Sequence, residues 1–214
     1  MLGRTTGAAR QPATPDQAGL DALATLEAAG VTFLGAARQR GEDGGLGFGE
    51  GAVSFLRAAQ CQDEAHYHFL LSAGAAPRAA AFVLPEGALD DPQAVLRTLV
   101  GLEAIGVAAH MALARRAAEA GDHRLVEIAY QMGAVDAQHE ALARVLTGGR
   151  PPNDRAFARR RFADPAEAAE ALAELGFGED GEDAIPFPGP VDRLCAGVFG
   201  LVPETTDDPP PSGQ

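Results

Sequence analysis

Tryptophan is absent from the 214-residue chain, and aromatic residues make up only 6% of it. A core built around large rings is therefore excluded. The 46% hydrophobic share is carried largely by alanine and leucine, the strongest helix formers, which points to an all-α protein with close, small-residue interfaces. Cysteine is nearly absent too. Cys61 and Cys195 lie in different segments without a CxxC-type neighbour, too few for a disulfide framework, and are expected to be reduced or inert core thiols. No window offers the roughly 18 apolar residues of a membrane span. The opening MLGRTTGAARQPATPDQ has arginines but no apolar stretch of the secretory kind, so a cytoplasmic location is expected. Positive charge is also in deficit. A formal net charge of −13 repels nucleic acid and anionic membrane, and neither is expected as a partner. The same balance suits plain solubility or attraction of metal cations.

The length fits one domain with appendages. Thr14, Pro15 and Gln17 read as N-cap, first helical residue and closing member of a capping box. From there Leu20, Leu23, Glu27, Val31 and Leu34 recur at helical spacing. RGEDGGLGFGEG then breaks the helix. A second stripe runs through Val53, Leu56, Gln60, Asp63, Tyr67 and Leu70. Residues 75–91 carry no helical period, and Asp91 with Pro92 restarts the chain. The third stripe holds Val95, Leu99, Leu102, Glu103, Gly106, His110 and Leu113; after EAGDH, the fourth holds Leu125, Ile128, Met132, Val135, Asp136, His139, Leu142 and Leu146.

Helices are thus expected at about 15–40, 50–73, 92–119 and 122–147. Two short connections around one long one describe a four-helix bundle with a crossover between helices 2 and 3. The expected organisation is a flexible 1–13, a bundle over 14–147, an extension over 148–203 packed on it, and a disordered 204–214. Asp164, Pro165 and Glu167 mark a short helix ending near Gly176, and EDGEDAIPFPGP reads as loop.

Each long helix carries a carboxylate on its apolar stripe: Glu27, Asp63, Glu103 and Asp136. Helices 2 and 4 add a histidine three residues on, His66 and His139, one turn along the same face. Glu27 to Asp63 is 36 residues and Glu103 to Asp136 is 33, so the two hairpins read as a pseudo-repeat. A single carboxylate on such a stripe is commonly a hydrogen-bonded residue. Four together would repel one another in a low-dielectric core unless protonated or neutralised by cations. The pattern therefore admits a metal site or a protonated, metal-free polar core.

At these residues the chain resembles the ferritin-like superfamily, most closely bacterial ferritin-like domain proteins related to plant desiccation-associated proteins. EAAGVTFLGAA, DEAHYHFLLSAGA, LEAIGVAAHMALA and AVDAQHEALAR match its segments in order over residues 15 to about 147. The resemblance implies a ferritin-like bundle with two iron or manganese ions on Glu27, Asp63, His66, Glu103, Asp136 and His139. It implies an oxidoreductase handling oxygen, peroxide or ferrous iron in stress protection, or else a metal-free structural or binding relative. Metal ions are the expected partners, and either a monomer or a homo-oligomer is compatible. One departure stands out: the family's ExxH motifs are DxxH here, at positions that usually bridge the two metals. Aspartate is one methylene shorter, so the bridges must come from closer backbones, bind in another mode, or fail.

Other features are read more plainly. His110 is expected to support or pack rather than ligate, and Tyr67 and Tyr130 to be ordinary buried tyrosines. Glu64 and His68 are expected on another helix face, and Cys61 as packing. GEDGGLGFGEG lacks the strand-to-helix setting of a nucleotide loop. DRAFARRRF is a basic patch read as solvated or salt-bridging.

Overall fold

The computed structural model describes residues 17–148, 154–179, 181–189, 194–203 and 205. The expected Thr14–Pro15 helix start and the flexible 1–13 lie outside these residues, as does the tail 204–214 apart from residue 205. Four long helices dominate: α1 (Gln17–Glu42), α2 (Glu50–Ser72), α3 (Pro92–Ala120) and α4 (His123–Leu146). They form a bundle in which α1 pairs with α2 and α3 with α4.

Local chemistry sets the ends. Asp91 caps α3 by accepting from Ala94 N at 2.8 Å, with Pro92 in the first turn. Gly121, at φ 80°, closes α3 in the left-handed region, and Asp122 then accepts from Leu125 N at 2.9 Å to start α4. A two-residue reversal thus makes α3 and α4 antiparallel neighbours.

The core is leucine and alanine with two fully buried phenylalanines, Phe33 and Phe82. Leu23, Leu34, Leu56, Leu70, Leu99 and Leu113 are at most 1% exposed, and burying each contributes roughly 1.5–3 kcal/mol. By length and composition α1 and α3 are apolar enough to cross a membrane, which uninterrupted apolar runs did not suggest; both are mostly buried inside the bundle. The α4 stripe does not stay covered to its end, because Leu142 and Leu146 are exposed.

The long connection between α2 and α3 is pinned to α1. Asp21 Oδ1 accepts from Ala76 N at 2.7 Å, and Thr25 Oγ1 accepts from Arg78 N at 2.9 Å. It also contains a strand the sequence did not announce. β1 (Ala81–Val83) pairs antiparallel with β2 (Gly178–Glu179) on one side and β3 (Ile185–Pro186) on the other. Strands of two or three residues are too short for a legible alternation.

The C-terminal segment supplies β2 and β3 and docks a 3₁₀ turn (Pro165–Glu167) and α5 (Ala168–Glu174) on α1 and α3. Asp164 and Glu167 form the capping box that starts this turn. Docking needs two bare positions: a Cβ on Gly19 would lie 2.5 Å from Pro165 Cγ, and one on Gly101 would lie 2.9 Å from Leu175 Cδ1.

The expectation of free thiols is overturned. Cys61 on α2 and Cys195 are joined in a disulfide across 134 residues, with Cα atoms 5.6 Å apart. Periodicity places a residue on a helix face but does not say which distant segment lands there, so the pairing was invisible in the sequence. Among the described residues there is no free cysteine.

Candidate metal centre

All six candidate residues are buried in the middle of the bundle. Glu27 comes from α1, Asp63 and His66 from α2, Glu103 from α3, Asp136 and His139 from α4, each 8% exposed or less. His110 of α3 joins them, 1% exposed. Helical spacing explains the pairs: residues three apart share a face, so each aspartate presents its carboxylate one turn from its histidine.

Two glycines admit the short aspartates. Three residues after each glutamate the chain has no side chain, at Gly30 and at Gly106. A Cβ on Gly30 would lie 2.9 Å from Asp63 Oδ2, and one on Gly106 would overlap Asp136 Oδ2. In both hairpins the aspartate carboxylate thus lies close against the backbone of the facing helix.

The donor atoms face inward. His139 Nδ1 lies 3.2 Å from Glu103 Oε1 and 3.4 Å from Asp63 Oδ1. His66 Nδ1 lies 3.4 Å from Asp136 Oδ1 and 3.6 Å from Glu27 Oε2. His110 spans Asp136 Oδ2 at 2.9 Å through Nδ1 and Glu27 Oε1 at 3.4 Å through Nε2. Six of these buried atoms have no hydrogen-bond partner: Asp63 Oδ1, His66 Nδ1, Glu103 Oε1, His110 Nε2, Asp136 Oδ1 and His139 Nδ1. Buried polar atoms are rarely left so. Three overlapping sets bring donor atoms within 4.8 Å of one another: Asp63, Glu103, Asp136 and His139; Glu27, Asp63 and His66; and Glu27, His110 and Asp136.

The family model of the ferritin-like domain matches residues 16–149. The chain belongs to that family. No curated protein and no solved structure gives a significant match. Within the ferritin-like bundle, a buried acidic and histidine cluster of this kind is compatible with a metal–carboxylate site.

Electrostatics of the ferritin-like core follow from burial and crowding. Burial, then the Asp136 and Asp63 carboxylates, raise Glu27 well above the ordinary 4.5. Glu103 is raised well above 4.5 by burial and then by Asp63. Burial would raise Asp136 as well, but His110, then His66 and His139, together outweigh it and leave its pKa lowered. Burial lowers His66. For His139 burial is opposed by Glu103 and Asp63, which together raise it well above 6.5. Its Nε2 lies 2.8 Å from Gln62 Oε1. An amide oxygen only accepts, so Nε2 carries a proton and Nδ1 is the nitrogen facing the carboxylates.

The centre is nearest the surface at His66. A cavity of about 330 Å³ between α2 and α4 reaches this ring, lined also by Phe69, Met132 and Val135 and covered by Leu201 and Pro203. The disulfide holds that covering segment on α2. The sequence placed His110 on the Glu103 stripe, but only the fold shows both of its ring nitrogens against carboxylates. Glu64 is buried beside the disulfide-held segment rather than in the cluster, with His68 3.7 Å away. Tyr130 is 76% exposed and plays no part in the core.

Proposed function

We propose that this ferritin-like protein is a di-metal carboxylate protein holding two iron or two manganese ions and acting on oxygen, peroxide or ferrous iron. The desiccation-related resemblance would place that activity in stress protection. The observation that carries the reading is the convergence of six buried donor atoms that lack hydrogen-bond partners. In this reading Glu27, Asp63, His66, Glu103, Asp136 and His139 would hold the two ions. The three donor sets overlap through Glu27, Asp63 and Asp136, each of which belongs to two of them, which supports a compact centre for two ions. Carboxylate and imidazole together suit iron(II) or manganese better than zinc or calcium.

Bound, such a pair supplies electron exchange with oxygen or peroxide. The chain's own part is to bind, orient and exclude water. Burial raises Glu27 and Glu103, so they keep protons to higher pH than a free carboxylate, and a binding cation competes with those protons. Gln62 fixes the His139 ring so that Nδ1 is presented inward. Gly30 and Gly106 set how near Asp63 and Asp136 come to the opposing helices.

The disulfide bears on location. Such bridges persist in oxidising compartments, so the bridged form fits one of those, and the cytoplasmic expectation requires Cys61 and Cys195 to stay as thiols.

Metal analysis of protein purified without chelators tests the function, together with anaerobic titration of ferrous or manganous ion followed by thermal melting. Two ions per chain and a rise in melting temperature are expected. A second reading, a metal-free structural or binding protein, is favoured by the 2.9 Å His110–Asp136 contact, which satisfies part of the core without any cation. It stands if the protein carries and gains no iron or manganese.

A further inference from the structure

The basic run after the bundle is used by nothing above. All 17 basic residues of this chain are arginine. Four of them, Arg144, Arg155, Arg159 and Arg161, converge on a cavity of about 420 Å³ on the outer side of α3 and α4. Its apolar surface is Ala104, Val107, Ala137 and Ala141, on the same two helices whose inner faces carry Glu103, Asp136 and His139.

The loop bearing the arginines is held at both ends. Asp154 pairs with Arg144 at 2.7 Å, and Arg155 lies 3.6 Å from Glu140 on α4. At the other end Phe162 is buried, with the Arg161 guanidinium 5.5 Å from its ring centroid. Glu140 and Asp154 are the carboxylates paired with this group, and both engage Arg144 or Arg155. Arg159 and Arg161 have no carboxylate partner among the described residues. A chain of net charge −13 therefore presents one local concentration of unbalanced guanidinium groups, around a concave space with an apolar floor.

We propose that this cavity binds a small organic anion, a phosphate monoester or comparable dianion, with its charged head on Arg159 and Arg161 and an apolar group on the alanine and valine floor. Guanidinium forks match the oxygens of phosphate and carboxylate in bidentate fashion. A long polyanion is disfavoured, because beyond the cavity it would lie along an acidic surface. The volume falls in the range of small-molecule pockets.

Titration calorimetry on the full-length protein with phenyl phosphate and with inorganic phosphate tests this without reference to metal. Phenyl phosphate is expected to bind saturably, once per chain, and several-fold more tightly than inorganic phosphate. R159A/R161A should weaken it by at least about tenfold, the worth of one charge-assisted contact. R57A/R97A, which removes two exposed arginines elsewhere, should leave it unchanged. Ala141→Phe, which fills the floor and keeps every charge, should also weaken phenyl phosphate. The proposal is overturned by no saturable binding, by equal losses in the two arginine pairs, by equal affinity for the two anions, or by an indifferent Ala141→Phe variant.

Discussion

The first hairpin, α1 with α2, and the second, α3 with α4, use one plan with different surroundings. Both contribute a glutamate, a glycine three residues later, and an aspartate and histidine three apart. Seven residues after the glutamate, however, the first has Leu34 and the second His110. Three before the aspartate, the first has Gln60 and the second Gly133, where a Cβ would lie 3.1 Å from His110 Cβ. The second hairpin has therefore made room for an extra imidazole, which holds Asp136. The first has filled that space with leucine and opens at His66, under a segment held by the disulfide. Repetition supplied the acidic core, and the departures decide which half is closed.

Asp63→Ala with Asp136→Ala should have the largest effect. On the proposed reading both residues are ligands of the two ions, so metal retention and any peroxide-consuming or iron-oxidising activity should be lost, as read by metal analysis and turnover. If either aspartate alone proves dispensable for both ions, the two-hairpin symmetry of the site is broken.

Cys195→Ser separates the halves through their surfaces. Opening the bridge should cost about 2–4 kcal/mol in chemical denaturation, and chelators should strip metal faster through the uncovered His66 side. Unchanged stripping would show that the covering segment does not govern access.

Gly106→Ala should cost about 1–3 kcal/mol by overpacking, because the new methyl overlaps Asp136 Oδ2. Gly30→Ala, with 2.9 Å to Asp63 Oδ2, should cost less. Melting curves of the two variants, with and without manganese, rank the tightness of the hairpins directly.

The smallest effect concerns pH in chelator-treated protein. Glu27 and Glu103 are raised above 4.5, and His139 above 6.5. Their stabilisation is whole below those ordinary values and is lost as pH rises through the folded ones. His66 and Asp136, both lowered, act oppositely, adding stability that is lost as pH falls through their folded values. Above pH 6.5 the lowered groups have already given their contribution and only the raised ones still lose theirs, so the melting temperature should fall as pH rises above that value. Bound metal should reverse the slope by competing with those protons.

Much of this was legible because it is local. Asp91 and Pro92 announced α3, and stripes of leucine with polar intruders located Glu27, Asp63, Glu103 and Asp136 on helix faces. The spacing of three tied His66 and His139 to them. Illegible were contacts joining distant segments, such as Cys61 with Cys195 or β1 with β2 and β3. His110 lay on the stripe, but its meaning depended on ring orientation between Glu27 and Asp136.

By itself the sequence determined the helices, their order and the inward-facing acidic stripe, because 3.6-residue periodicity, caps and breakers act over a few residues. Only the tertiary structure decided how near those carboxylates come, through bare positions at Gly30 and Gly106. It also decided which cysteine meets which and where the arginines gather. Those depend on backbones separated by tens of residues approaching within a few ångströms, which no local pattern encodes.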